Sequence, residues 1–367
     1  MKREKIRRIF VSATGQNDGK TVVSLGLMYA FKERFQKVSF IKPVGQRYVI
    51  EKGEKIDEDS VLVEKTFGIE CAIKDTSPVA VEKGFTSKYI LRSSKNELIR
   101  RIKHSFKAVA KDKELVIIEG TGHAGVGSVF DLSNASVAKI LDSKVIIIST
   151  GGIGKPIDEI MLNKALFEKE GVEVVGIIIN KVRPEKYDRV SKAVRMGLRK
   201  KGLRVLGVIP YNNILSEPTV GQIAEELKFK VLAGSRNLKT TVGKILIGAM
   251  SPHEALNYFS DRSLIITPGD REDMILAVVG FQDDKARDGV QMAGIILSGG
   301  IMPNKTIVDL VKRAGIPLLL AEGDTYTVAS KVHDLHVKVM PEDTRKAEII
   351  KDMIEEYVDI DTLTRYL

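Results

Sequence analysis

The stretch that decides the fold is Ser12-Ala13-Thr14-Gly15-Gln16-Asn17-Asp18-Gly19-Lys20-Thr21. It follows an apolar run at 8–11 and precedes a helical pattern at 21–35. A loop set between a strand and a helix curls its backbone N–H groups around phosphate oxygens. Gly15 and Gly19 permit the backbone angles and the close approach this needs. The helix that follows adds its positive end. Lys20 reaches the β- and γ-phosphates as a point charge, and Thr21 offers a hydroxyl to Mg²⁺. The strict pattern G-x-x-x-x-G-K-[ST] is missed, because Thr14 stands at its first glycine and Gly15 comes one step later. The context of strand, Gly-rich loop, Gly-Lys-Thr and helix is met, so nucleotide phosphate binding is expected.

Outward from this loop, short β-branched runs alternate with amphipathic stretches. The runs lie at 8–11, 38–41, 115–119, 144–149, 174–179 and 205–209, nearly continuous in Val, Ile and Leu. Such runs are strands covered on both faces. Helical patterns at 21–35, 97–110, 157–170 and 185–200 separate them, which predicts a mostly parallel, doubly wound sheet with right-handed crossovers. The fold class is α/β, a P-loop NTPase over 1–215. Turn formers cluster at 210–218 and mark a boundary near 215. Further runs at 264–267, 294–297 and 317–321 predict a smaller α/β domain over 216–340. Residues 341–367 hold eight acids and four bases and read as an acidic C-terminal helix over 344–357, docked on a basic body.

Composition narrows the function. The chain has 367 residues, 43% hydrophobic and 29% charged, which excludes disorder and fibre. Cys71 is its one cysteine, so an internal disulfide and a Cys-rich zinc site are excluded. His333 and His336 form an H-x-x-H pair with no further ligand near them, and a solvated turn is expected there. No run approaches the roughly 18 apolar residues that span a bilayer, and the start is too short for a signal peptide. A cytoplasmic protein without membrane contact is expected. The net charge of +10 suits a small anionic substrate. The same charge would also suit nucleic acid, but no recognition motif or Arg/aromatic interleaving accompanies it, so nucleic acid is not expected.

Mg²⁺ needs acidic partners at the carboxyl ends of neighbouring strands. Glu119 ends one apolar run and is followed by Gly120-Thr121-Gly122, which makes it a metal or water-positioning candidate. Asp57 and Asp59 follow the second strand. Asp59 is preferred, since an apolar stretch begins just after it, and a helix N-cap is the alternative. Residues 120–125 also spell G-x-G-x-x-G. Asp142 precedes its strand rather than ending one, so it stands at the wrong sheet edge to meet a ribose, and NAD binding is rejected.

Together these residues resemble the dethiobiotin synthetase-like P-loop family. They are most similar to the nucleotide-binding N-terminal part of the long bacterial phosphotransacetylases. The matching stretches are 13–27, Phe40-Ile41-Lys42-Pro43-Val44, Asp59-Ser60, Thr76-Ser77-Pro78, Ile117-Ile118-Glu119-Gly120, 176–180 and Leu206-Gly207-Val208-Ile209-Pro210. The resemblance implies that Thr14, Gly15, Gln16, Asn17, Asp18, Gly19, Lys20, Thr21 and Val22 hold ATP phosphates. It implies that Asn180 reads the adenine edge and that Pro210 belongs to the same nucleotide site. Thr21, Asp59 and Glu119 would hold Mg²⁺, and Lys20, Lys42 and Glu119 would be the catalytic residues. A homodimer is implied as well. Residues 216–340 resemble the DRTGG domain of those phosphotransacetylases, through Gly269-Asp270-Arg271-Glu272-Asp273, Leu297-Ser298-Gly299-Gly300 and Ala314-Gly315-Ile316-Pro317.

Three readings stay open on the sequence. The first is an ATPase with a regulatory DRTGG domain. The second is an ATP-dependent ligase acting through a phosphorylated carboxylate or carbamate, in which Lys42 screens the anionic intermediate. The third is a nucleotide sensor without turnover that regulates a metabolic enzyme. The stretch that would carry acyl transfer has no counterpart up to residue 367. The expectation is therefore an ATP hydrolase or ATP-dependent ligase and not an acetyltransferase.

Overall fold

The computed structural model describes residues 6–92, 95–283, 289–335, 337–341 and 343–367. Its contacts form two units, Met1–Asn212 with Val339–Leu367, and Asn213–Lys338.

The first unit is built on a six-stranded parallel sheet. In chain order its strands are β1 Arg7–Ala13, β2 Val38–Ile41, β7 Leu115–Glu119, β8 Lys144–Thr150, β9 Val174–Val182 and β10 Val205–Pro210. Across the sheet they run β10-β9-β8-β1-β7-β2. The continuous apolar runs are explained by burial on both faces. Phe10, Val116, Ile118, Val145 and Ile147 share one core with residues of α5 (Lys95–Val109), α7 (Gly154–Lys169) and α8 (Tyr187–Lys200), and the intervening Ile9, Val11, Ile117, Ile146 and Ile148 are equally buried. Helix α8 shows the matching pattern, with Val190, Val194 and Leu198 buried one turn apart along one face.

Strand β1 lies between β7 and β8, so the loop after it opens where the strand order turns back on itself. In open α/β sheets this crevice at the carboxyl ends is where ligands sit. Helix α1 (Lys20–Lys32) follows the loop. It is shorter than the expected 21–35, because the chain turns at Glu33.

Between β2 and β7 the chain makes small elements that the periodicity does not announce. Strand β3 (Val44–Gly45) pairs with β6 (Val79–Ala80), and β4 (Tyr48–Glu51) pairs antiparallel with β5 (Glu54–Asp57). Lys52 and Gly53 both adopt positive φ, 51° and 81°, as a tight two-residue hairpin requires. Helices α2 (Glu58–Phe67), α3 (Ile73–Thr76), α4 (Phe85–Leu91) and α6 (Asn134–Ile140) complete this part.

The acidic C-terminal segment is helix α14 (Thr344–Tyr357), followed by the shorter α15 (Ile360–Tyr366). Ile350 and Ile354 are fully buried, and Ile354 packs where Gly26 of α1 lacks a side chain. Lys351 pairs with Glu33 at 2.9 Å and Arg34 with Asp361 at 3.0 Å. Glu342, part of the acidic count, lies outside the described residues.

The second unit is a smaller α/β fold with its own five-stranded sheet in the order β11-β15-β14-β13-β12. The strands are β11 Lys230–Ala233, β12 Lys244–Ile247, β13 Ser263–Pro268, β14 Gly294–Ser298 and β15 Leu318–Leu320. Only β11 runs antiparallel to its neighbour. Helices α9 (Val220–Leu227), α10 (Pro252–Ala255), α11 (Glu272–Asp283), α12 (Lys305–Arg313) and α13 (Thr325–His333) surround the sheet. Among the described residues no helix is long and apolar enough to cross a membrane.

Candidate nucleotide site

Gly19 is the N-cap of α1. It adopts a left-handed conformation, φ 92°, and no side chain caps the helix. A Cβ at this position would lie 2.2 Å from Asn180 Nδ2, so the loop can close only with glycine here. The loop is braced from within by Asp18. This buried carboxylate accepts the Gly15 N–H at 2.6 Å and the Thr14 hydroxyl at 2.9 Å. The Thr14 and Ser149 hydroxyls lie 3.0 Å apart. From the end of β9, Asn180 Nδ2 donates to the Asp18 carbonyl at 2.9 Å and Lys181 Nζ to the Asn17 carbonyl at 2.6 Å.

Lys20 folds back over the loop and donates to the Gly15 carbonyl at 3.1 Å. Burial holds its ammonium below the ordinary lysine range, against the pull of Glu119 and Asp18. Gln16 and Asn17 are exposed at the tip, and Asn17 adopts φ 61°. Val22 is half-buried in the first turn of α1.

Beside the loop, charges converge in a nearly dry pocket. Lys42 follows β2, and its backbone N–H is tied to the Thr76 carbonyl at 2.8 Å. Its Nζ lies 3.0 Å from Asp57 Oδ1, pairs with Asp59 Oδ2, and lies 3.5 Å from Glu119 Oε1. All four side chains are 7% exposed or less. Burial disfavours the Lys42 ammonium, but Asp59, Asp57 and Glu119 together outweigh it and hold the group well above the usual lysine range. Burial pushes the Glu119 carboxyl up to about 7, with Lys42 easing the shift and Asp59 adding to it. The Thr21 hydroxyl lies 3.4 Å from Glu119 Oε1, and Glu119 Oε2 is buried without a hydrogen bond.

The structure thus gathers Thr14, Gly15, Asp18, Gly19, Lys20, Thr21, Lys42, Asp59, Glu119 and Asn180 at one edge of the sheet. Pro210 closes β10 at the outer margin of that sheet, paired with Val182. Sequence reasoning set Asp57 below Asp59, and the structure gives Asp57 two roles. It caps α2, accepting the Asp59 N–H at 3.0 Å, and it also pairs with Lys42. The signal for this was the Lys52-Gly53 turn, which fixes the hairpin that delivers Asp57. Ser149 and Lys181, which hold the loop, carried no motif.

Asp59, Glu119 and the Thr21 hydroxyl are hard oxygen donors of the kind Mg²⁺ takes, and the unpartnered Glu119 oxygen fits such a role. Among the described residues no cluster of three or more His, Cys, Asp or Glu is arranged to hold a metal. His336 lies outside them. In the second unit, Arg271 and Asp273 form an ion pair at the start of α11, with Arg271 Nε 2.9 Å from Asp273 Oδ1. Gly299 and Gly300, φ 79° and 64°, turn the chain after β14.

A family model described as an AAA domain matches residues 7–219, and one described as a DRTGG domain matches residues 222–335. A phosphate acetyltransferase of Pseudomonas putida is 28% identical over 96% of this chain and 51% of its own length. One of Nitratidesulfovibrio vulgaris is 26% identical over 96% of this chain and 50% of its own. The chain therefore spans about half the length of these curated relatives. In fold it is similar to the septum site-determining protein MinD of Pyrococcus horikoshii complexed with Mg-ADP, at 16% identity and TM-score 0.37, covering 57% of this chain and 84% of that one.

These relatives correct one expectation. The sequence alone points to an ATP hydrolase or ATP-dependent ligase and not an acetyltransferase. Proteins named phosphate acetyltransferase instead align with 96% of the chain, across both of its units. A missing acyl-transfer stretch does not bear on the part of the sequence that these relatives share.

Proposed function

We propose, from the premise that this chain belongs to the AAA-domain family matched over residues 7–219, that it is the nucleotide-responsive region of a phosphate acetyltransferase system. ATP with Mg²⁺ occupies the loop after β1, and occupancy adjusts acetyl transfer between coenzyme A and phosphate. The observation that carries this reading is Gly19. A left-handed glycine, with no side chain capping α1, leaves the first-turn N–H groups facing the crevice beside Lys20. Thr14 to Val22 would cradle the phosphates, and Lys20 would reach their terminal oxygens. Thr21, Asp59 and Glu119 would hold Mg²⁺, which when bound offsets the phosphate charge. Asn180 and Lys181 set the loop by holding the carbonyls of Asp18 and Asn17.

Calorimetry with ATP and Mg²⁺ tests the binding. Lys20→Ala is expected to weaken ATP by roughly 1.5–3 kcal/mol, the range for a charge-assisted hydrogen bond. Equal affinity in wild type and variant would remove Lys20 from the site. Acetyl phosphate formation from acetyl coenzyme A and phosphate, followed with and without ATP, tests the wider reading. A rate indifferent to ATP in wild type, at concentrations where calorimetry shows the site filled, would separate the loop from acetyl transfer.

A further inference from the structure

We propose that the Lys42 ammonium is a resident counter-ion of the Mg²⁺ site, which keeps the nucleotide-free chain from taking up divalent metal and yields when metal arrives with nucleotide. This rests on the reading of the β1 loop as a nucleotide site and adds how metal entry is controlled.

Glu119 Oε1 faces two groups at once, the Thr21 hydroxyl at 3.4 Å and the Lys42 ammonium at 3.5 Å. The oxygens expected to hold a cation are thus already gathered around one. Asp57 and Asp59 close on the same ammonium. A divalent ion a few ångströms from a buried ammonium meets strong repulsion, since little water screens the pair. In the nucleotide-free site, metal and the Lys42 ammonium therefore disfavour each other.

The backbone of Lys42 is fixed, its N–H held by the Thr76 carbonyl, so any change is confined to its flexible four-carbon stem. Nucleotide phosphates supply the negative charge that a displaced ammonium needs. Metal and nucleotide then bind with positive coupling, and each raises the affinity for the other by the same factor.

Mn²⁺ titration followed by electron paramagnetic resonance, without nucleotide, tests this. Wild type is expected to bind Mn²⁺ weakly. Lys42→Met, which keeps the length and drops the charge, should bind about tenfold tighter or more, and Lys42→Arg should stay weak. Lys42→Gln removes the same charge but keeps a polar end that can hydrogen-bond, and it takes the place of Lys42→Met if that chain does not fold. Tight Mn²⁺ binding by nucleotide-free wild type, lost in Glu119→Gln, overturns the proposal, as does a charge-deleted variant no tighter than wild type. ATP calorimetry on wild type separates the two readings. No ATP uptake removes the nucleotide site itself, whereas ATP uptake with unchanged Mn²⁺ affinity removes only the role of Lys42.

Discussion

Asn180 Nδ2 lies 2.9 Å from the Asp18 carbonyl, and it stands where a Cβ on Gly19 would have to go. The Asn180 amide at the end of β9 therefore helps set the shape of the loop after β1, beside Lys181, which holds the Asn17 carbonyl. Gly19→Ala must accept φ 92° and push Asn180 aside. A non-glycine residue held at left-handed φ costs about 1–3 kcal/mol, before the displaced amide is counted. Thermal unfolding should show that loss, and ATP affinity should fall with it. A variant with wild-type melting and wild-type ATP binding would show that this contact does not constrain the loop.

The pH dependence of stability should carry the signature of Glu119. Its carboxyl is pushed up to about 7 in the folded chain, from an ordinary value of 4.5. The folded state therefore retains a proton that the unfolded state has released between those values. The stability this contributes is complete below pH 4.5 and is lost as pH rises through 7. Glu119→Gln, which cannot titrate, lacks this slope. Urea midpoints of both proteins at about pH 5 and about pH 8 measure it, and the difference between wild type and variant cancels the other acids. The wild type should lose more stability than the variant over that interval, and equal losses would refute the assignment.

Asp57 serves two structures at once, which makes its variants separable. Asp57→Asn keeps an oxygen to accept the Asp59 N–H but gives up the charge beside Lys42. Asp57→Ala loses both. The cap alone contributes about 1 kcal/mol. Depriving a buried ammonium of a partner costs about 3–5 kcal/mol, here at the low end because Asp59 and Glu119 remain. Denaturant titration should rank wild type above Asp57→Asn, and Asp57→Ala lowest by about a further 1 kcal/mol. Equal losses in the two variants would mean that the cap adds nothing.

These residues also mark what the sequence could and could not reveal. Strand β1, the loop and α1 were legible because apolar runs buried on both faces and a Gly-Lys-Thr loop each have one physical cause. Helix α14 was legible from its period. The β4–β5 hairpin was not, because β4 and β5 leave Val49 and Ile50 exposed and so lack the buried alternation that identifies a strand. Strands β11 and β12 lie at the edges of the second sheet and are only partly buried, so their apolar content is diluted. Lys42 was picked out as a reacting group, but its grip on three carboxylates comes from β2, β5, α2 and β7 meeting at one edge. No spacing along the chain encodes that convergence.

The contact between Gly26 and Ile354 gives a last test, directed at the C-terminal segment. A Cβ at Gly26 would sit 2.1 Å from Ile354 Cγ1 and 3.2 Å from the Ile350 carbonyl. Helices α1 and α14 can approach this closely only because Gly26 has no side chain. Gly26→Ala should either push α14 outward or force Ile354 from its rotamer, costing about 1–3 kcal/mol as overpacking does. Alanine is also the better helix former by about 1 kcal/mol, so a net stabilisation would be expected if the two helices did not touch. The sign of the change therefore decides whether α14 docks in solution. Hydrogen exchange offers an independent readout. In Gly26→Ala the amides of 347–357 should exchange faster than in wild type, while those of β8 stay protected. Faster exchange spread evenly over the first unit would instead indicate general destabilisation.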